Sequence, residues 1–195
     1  MSPPRQVVNI GVTGHRMIGF SEALESGVKL AFRFIQVDYP DAEYNVLTAL
    51  AQGSDRLVTT ISREISQVKL VVVQPVCAGE VLEAPVNGED AAVVDGFLQS
   101  AVKIIRLPDA ATHAAAYRSL GMYLAQECDV LLAVWNGVYN HKQGGTSDVV
   151  RSTRSLGKPV YWVYCDNEAV GTSNPLSGRK SAGELELIRA DEEPI

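Results

Sequence analysis

Short apolar runs and amphipathic segments alternate along this chain, and each change of period marks a change of element. Val7 to Thr13 is apolar, rich in β-branched residues and ends in a glycine-containing turn, which predicts a strand. Ser21 can cap a following helix, with Glu22 near the positive end of its dipole. Leu24, Val28, Ala31, Phe32 and Ile35 then share one helical face, the spacing of a helix packed on a sheet. Tyr44 to Ala51 reads as a second strand, Gly53 as a turn, and Leu57, Ile61 and Ile65 as a second helix. Lys69 to Pro75 (KLVVVQP) is a third strand, apolar on both faces as a strand covered on both sides must be.

Residues 76 to 89 carry two glycines and a proline without a period and read as a loop. Val94, Phe97, Leu98 and Ala101 predict a helix, Lys103 to Leu107 a short strand, and Tyr117, Leu120, Leu124 and Cys128 another helix. Asp129 to Trp135 (DVLLAVW) is a second strongly apolar strand. A glycine-rich loop at 144–145 opens a helix through about Leu156, and Pro159 to Tyr164 closes the series as a strand. This βαβ alternation with short connections predicts an α/β domain over residues 1–165, a mostly parallel sheet with helices on both faces. The segment 166–195 is polar and reads as a loosely held or partner-ordered tail, in which Leu185 and Ile188 suit one turn of amphipathic helix.

Composition narrows the function. Hydrophobic residues make up 46% and charged residues 21%, a globular profile, and the formal charge of -6 argues against nucleic acid as a partner. No apolar run approaches the ~20 residues of a membrane helix, and the N-terminus has no basic and apolar signal region, so no membrane role is expected. Cys77, Cys128 and Cys165 are widely spaced, fit no metal-ligand pattern and read as buried reduced thiols of a cytoplasmic protein.

In such a sheet ligands bind beyond the carboxyl ends of the strands, and three strand ends carry unusual sequence. The first strand runs into Gly11-Val12-Thr13-Gly14-His15-Arg16, where the glycines allow close approach to an anion, Thr13 offers a hydroxyl and Arg16 a guanidinium. The same residues also suit a tight turn with solvated His and Arg, and the run is not GxGxxG. The second strand leads into Gln52-Gly53-Ser54-Asp55-Arg56, equally compatible with ordinary helix capping and an Arg56 ion pair to Asp55 or Glu22. The third loop, Trp135-Asn136-Gly137 followed by Gly144-Gly145-Thr146-Ser147-Asp148, exceeds what a turn and a cap need. Free N–H groups at that helix start form an anion site, with Thr146 or Ser147 adding a hydroxyl. His113 reads as a helix-start residue, His141 as an exposed loop residue that can cover a ligand, and Tyr117 as core. No metal site and no nucleophile elbow is present in the pattern.

GVTGHR, ALAQGSDRLV and DVLLAVWNG…GGTSDVV…GKPVYWV, in this order over residues 7 to 165, resemble the SLOG superfamily, which takes in the YpsA-like proteins and relatives of the LOG, or lysine-decarboxylase-like, phosphoribohydrolases. The resemblance implies a Rossmann-like three-layer fold that binds nucleotides or nucleotide-derived signals. Gly11, Thr13, Gly14, His15 and Arg16 would form one wall, and Gly53, Asp55 and Arg56 a second. Trp135, Asn136, Gly144, Gly145, Thr146 and Asp148 would form the phosphate-cradling side.

Two departures bear on chemistry. The hydrolase motif PGG-x-GT-x-x-E, aligned on Gly145-Thr146, puts Lys142 and Gln143 at its glycine pair and Val149 at its glutamate. Asp148 falls one residue short, a rotation of about 100° on a helix. Asn136 stands where an aspartate is expected after the tryptophan. Three readings follow. The first is a binding or sensing module for a nucleotide derivative, which at this size calls for an effector partner or a homo-oligomer. The second is a nucleotide N-glycosidic or phosphoester hydrolase using Asp148 or Asp55 as base, with Arg16 or Arg56 stabilising charge. The third is an oligomerisation scaffold. No cofactor beyond the nucleotide ligand itself is expected.

Overall fold

The computed structural model describes residues 5–83, 88–140 and 142–189, so His141 lies outside the described residues. Seven strands form one sheet in the order β6-β3-β2-β1-β7-β8-β9. The chain starts at the centre with β1 (Val7–Gly14), passes through α1 (Glu22–Asp38) to β2 (Glu43–Thr48), then through α2 (Ser54–Ser62) to β3 (Val68–Gln74). A hairpin of β4 (Val76–Cys77) and β5 (Glu80–Val81) follows, and α3 (Gly88–Ser100) leads to the edge strand β6 (Lys103–Arg106). The chain then crosses back through α4 (His113–Glu127) to β7 (Val130–Trp135), on the other side of β1, and α5 (Thr146–Ser155) leads to β8 (Val160–Tyr164). All these neighbours in the sheet are parallel; the last strand, β9 (Leu185–Ile188), is antiparallel to β8.

The result is a Rossmann-like three-layer sandwich. Alternation along the strands sorts the core into two halves. Val8, Ile10, Val12, Val130, Leu132 and Val134 face α1, α2 and α3, whose Leu24, Val28, Phe32, Val58 and Phe97 complete that half. Leu131, Ala133, Trp135 and Trp162 face the opposite layer, with Leu124 of α4 and Val149 and Val150 of α5. Ser21 caps α1 through its hydroxyl on the Leu24 N–H (3.2 Å), and Thr112 caps α4 on the Ala115 N–H (3.1 Å), so His113 is the first helical residue. The three cysteines are free and buried; burial pushes the Cys128 thiol up to about 11 and Cys165 to about 12, so both are inert.

The structure differs from the sequence reading in three places. The second strand stops at Thr48, because residues 49–51 turn to accommodate Asp55 and Leu50 adopts φ +60°. The segment 76–81 is a hairpin rather than a plain loop. Leu185–Ile188 is a strand, not a helical turn: β8 is buried along its whole length, and β9 supplies hydrogen-bond partners to its outer edge. Residues before β9 also pack on α1 through two glycines. A Cβ on Gly27 would lie 2.2 Å from the Gly183 carbonyl, and one on Gly183 only 1.9 Å from that of Ala23.

Candidate functional site

Because the parallel strands share a direction, the loops after β1, β2, β3 and β7 emerge at one edge of the sheet. The order reverses between β1 and β7, and at that switch point lies a cavity of about 690 Å³. Thr13, Gly14, His15, Arg16, Asp55, Trp135, Gly144, Gly145, Thr146 and Ser147 line it. Gly11, Gly53, Ser54, Arg56, Asn136 and Asp148 stand behind that lining.

The residues behind the wall hold it in shape. Ser54 ties the ends of β1 and β7 together, its hydroxyl 2.8 Å from the His15 carbonyl and 3.1 Å from that of Val134, while its N–H donates to His15 O (3.0 Å). This stitch requires bare glycines on both sides: a Cβ on Gly14 would lie 2.4 Å from the Ser54 hydroxyl, and one on Gly53 2.3 Å from the Arg16 carbonyl. Gly11 faces Cys128, the residue that caps the C-terminus of α4. Arg56 donates from Nε to the Leu50 carbonyl (3.0 Å), fixing the turn after β2.

Asp55 is buried at the foot of the cavity. Its Oδ2 accepts from the Thr48 hydroxyl (2.9 Å) and the Ala49 N–H (3.1 Å). Burial nevertheless dominates and, with Glu83 nearby, pushes its carboxyl up to about 6. His15 is held neutral by burial, and its Nε2 accepts the Asn136 N–H (3.0 Å).

The opposite wall is built on the turn that opens α5. Gly144 (φ +69°) is pressed against α4, where a Cβ would meet the Arg118 nitrogen at 2.6 Å. Its N–H donates to Asp148 Oδ2 (2.9 Å), and Asp148 Oδ1 pairs with Arg151 (2.7 Å). Those contacts, the Gly144 N–H first, hold the Asp148 carboxyl below its usual range. Gly145 caps α5 without a side-chain bond, so the helix start faces the cavity beside Thr146 and Lys142. Ser147 shares its hydroxyl between the Asn140 carbonyl and side-chain oxygen, both at 3.0 Å.

Asn136 has a structural role that needs an amide rather than a carboxylate. Its amide donates to the Ser173 carbonyl (3.0 Å) and Asn174 Oδ1 (2.9 Å), which an aspartate could not do. Asn174 in turn bonds both the N–H and the carbonyl of Asn167, so this chain of amides sets Asn167 and Ala169 into the cavity wall.

Sequence reasoning missed Glu83 and misplaced Tyr117. Tyr117 is not core: it lines the cavity, and its hydroxyl donates to Glu83 Oε1 (2.6 Å). Arg16 donates to the same oxygen and stands 5.1 Å above the Tyr117 ring. The available signal was topological: the segment after β3 emerges at the same sheet edge as the other loops. Trp135 is shared with a second, aromatic cavity of about 200 Å³ lined by Tyr139, Trp162 and Leu176.

The fold and this crevice define an α/β protein with a ligand-sized cavity at its switch point. No family model matches the chain, and no curated protein matches it. Among the described residues no helix is long and apolar enough to cross a membrane, and no cluster of three or more His, Cys, Asp or Glu could hold a metal ion.

Proposed function

We propose that the cavity binds a nucleotide or nucleotide-derived small molecule, as a member of the SLOG superfamily would, and that the protein acts as a binding or sensing module. One observation carries this reading. The start of α5, capped only by Gly145, opens on a cavity of about 690 Å³ where the strand order reverses, with Lys142 beside it. Main-chain N–H groups and the helix dipole suit a phosphate there, and the volume suits a nucleotide. A thermal-shift panel of mononucleotides, NAD, ADP-ribose and cyclic forms tests it, with each hit checked for breakdown. Saturation at a hundred times Kd adds about 2.7 kcal/mol of stability. Absence of any shift across the panel rejects the reading.

A second reading, hydrolysis of an N-glycosidic or phosphoester bond, is favoured by Asp55. A buried carboxyl lifted to about 6, on the cavity wall, suits a general base near neutral pH. Asp148 does not suit that role, since its carboxylate is spent on Gly144 and Arg151. Turnover by the wild type that vanishes in Asp55→Asn supports this reading; an intact ligand supports sensing.

A further inference from the structure

Glu83 occupies a place that two donors are arranged to give to an anion. The Arg16 guanidinium, from the loop after β1, and the Tyr117 hydroxyl, from α4, converge on a single atom, Oε1 of Glu83. All three residues line the main cavity. Burial and the bond to Glu83 keep the Tyr117 hydroxyl protonated, so it remains a donor. A guanidinium and a phenol sharing one oxygen form a charge-assisted oxyanion site. Its occupant is delivered by strained backbone: Glu83 has φ +69°, just beyond a hairpin with two residues per strand. The carboxylate is nearly buried (6% exposed) whereas Arg16 is half exposed, so the site is shaped around the anion rather than around the cation.

Resting on the nucleotide reading, we propose that Arg16 and Tyr117 form a second anion subsite, filled by the Glu83 carboxylate until a phosphate or carboxylate of the ligand displaces it. The preferred ligand is then a nucleotide derivative with two anionic groups, one at the start of α5 and one at Arg16. A phosphate monoester competes well for such a site, because it carries nearly two charges and three acceptor oxygens against the one charge of a carboxylate. A neutral hydroxyl does not, since it would leave Arg16 without a counter-charge. Glu83 thereby screens ligands by charge.

Calorimetric titration of the full chain tests this with inorganic phosphate, adenosine 5′-monophosphate and adenosine 3′,5′-bisphosphate. Glu83→Gln is expected to tighten inorganic phosphate by roughly tenfold or more, the scale of one charge-assisted hydrogen bond. It is also expected to raise the ratio of bisphosphate to monophosphate affinity. Adding Arg16→Gln or Tyr117→Phe to that variant removes the gain. In the wild type, the Arg16 guanidinium NMR signal shifts with phosphate and stays put with chloride at equal ionic strength, a readout independent of any substitution. A Glu83→Gln variant that binds phosphate no better, or a gain that survives loss of Arg16, overturns the subsite. Nucleotide binding without the phosphate gain sinks the subsite alone; the phosphate gain without any nucleotide binding sinks the nucleotide reading alone.

Discussion

On the β1–β2 side of the cavity the polar groups are side chains, whereas the β7–α5 side adds the main chain of a helix start to its side chains. Ser54 and His15 sit where they do because hydroxyl and imidazole bond to backbone at the end of β7, and Asp55 because its carboxylate binds Thr48 and Ala49 at the end of β2. Gly144 and Gly145 present a helix start, and the hydrogen bond that holds it comes from within five residues, through Asp148. The hydrogen bonds of Ser54 and His15 span the sheet, whereas the bond that fixes Gly144 is local and its packing comes from α4. The difference teaches where chemistry can reside: a titrating group needs the buried, interlocked wall, and an anion cradle needs only geometry.

The contrast is broken hardest at Gly53. Its φ of +81° and a would-be Cβ 2.3 Å from the Arg16 carbonyl mean that Gly53→Ala combines backbone strain with a clash against main chain. We expect a loss of about 4 kcal/mol in urea unfolding, enough to threaten a marginal domain. A loss below about 1 kcal/mol would show that the wall yields more readily than described.

Asp55 gives the next largest effect, through pH. The folded chain binds the Asp55 proton more tightly than the unfolded chain, whose carboxyl titrates near 3.8, while the folded one is at about 6. Its contribution to stability is therefore full below pH 4 and is lost as pH rises to about 6, amounting to about 3 kcal/mol. Asp55→Asn has no proton to lose. Relative to wild type it should gain that amount between pH 4 and pH 7, and parallel stability profiles would refute the assignment.

Asp148 supplies the smallest effect and sharpens the comparison. Asp148→Ala removes one bond to the Gly144 N–H and an exposed pairing with Arg151, a cost of about 1 kcal/mol. On the proposed reading, nucleotide binding by this variant stays within a few-fold of wild type, because the proposed cradle is backbone. Abolished binding in a folded variant would place Asp148 in direct contact with ligand.

Legibility in the sequence follows the same divide. β1, β3 and β7 were readable because both-face burial leaves continuous apolar runs, and the Gly144–Gly145 turn because glycine excess announces backbone geometry. The Leu185–Ile188 strand was not, since four residues carry no decisive period and its conformation is set by the free edge of β8. Tyr117 carries the helical spacing of a core residue, and only contact with Glu83 from a distant loop turns it toward the cavity. The buried character of Asp55, and hence its raised carboxyl, depends on folding of the segment from Thr48 to Ala51 over it, which local pattern does not encode.

The placing of Trp135 has a practical consequence. The chain holds two tryptophans, and their rings are neighbours, with centroids 6.2 Å apart. Trp135 forms part of the wall of both cavities. Emission from the native chain thus comes from one coupled pair of indoles seated against the crevice. A ligand entering either cavity would meet Trp135, so a titration can be followed through tryptophan emission without a label.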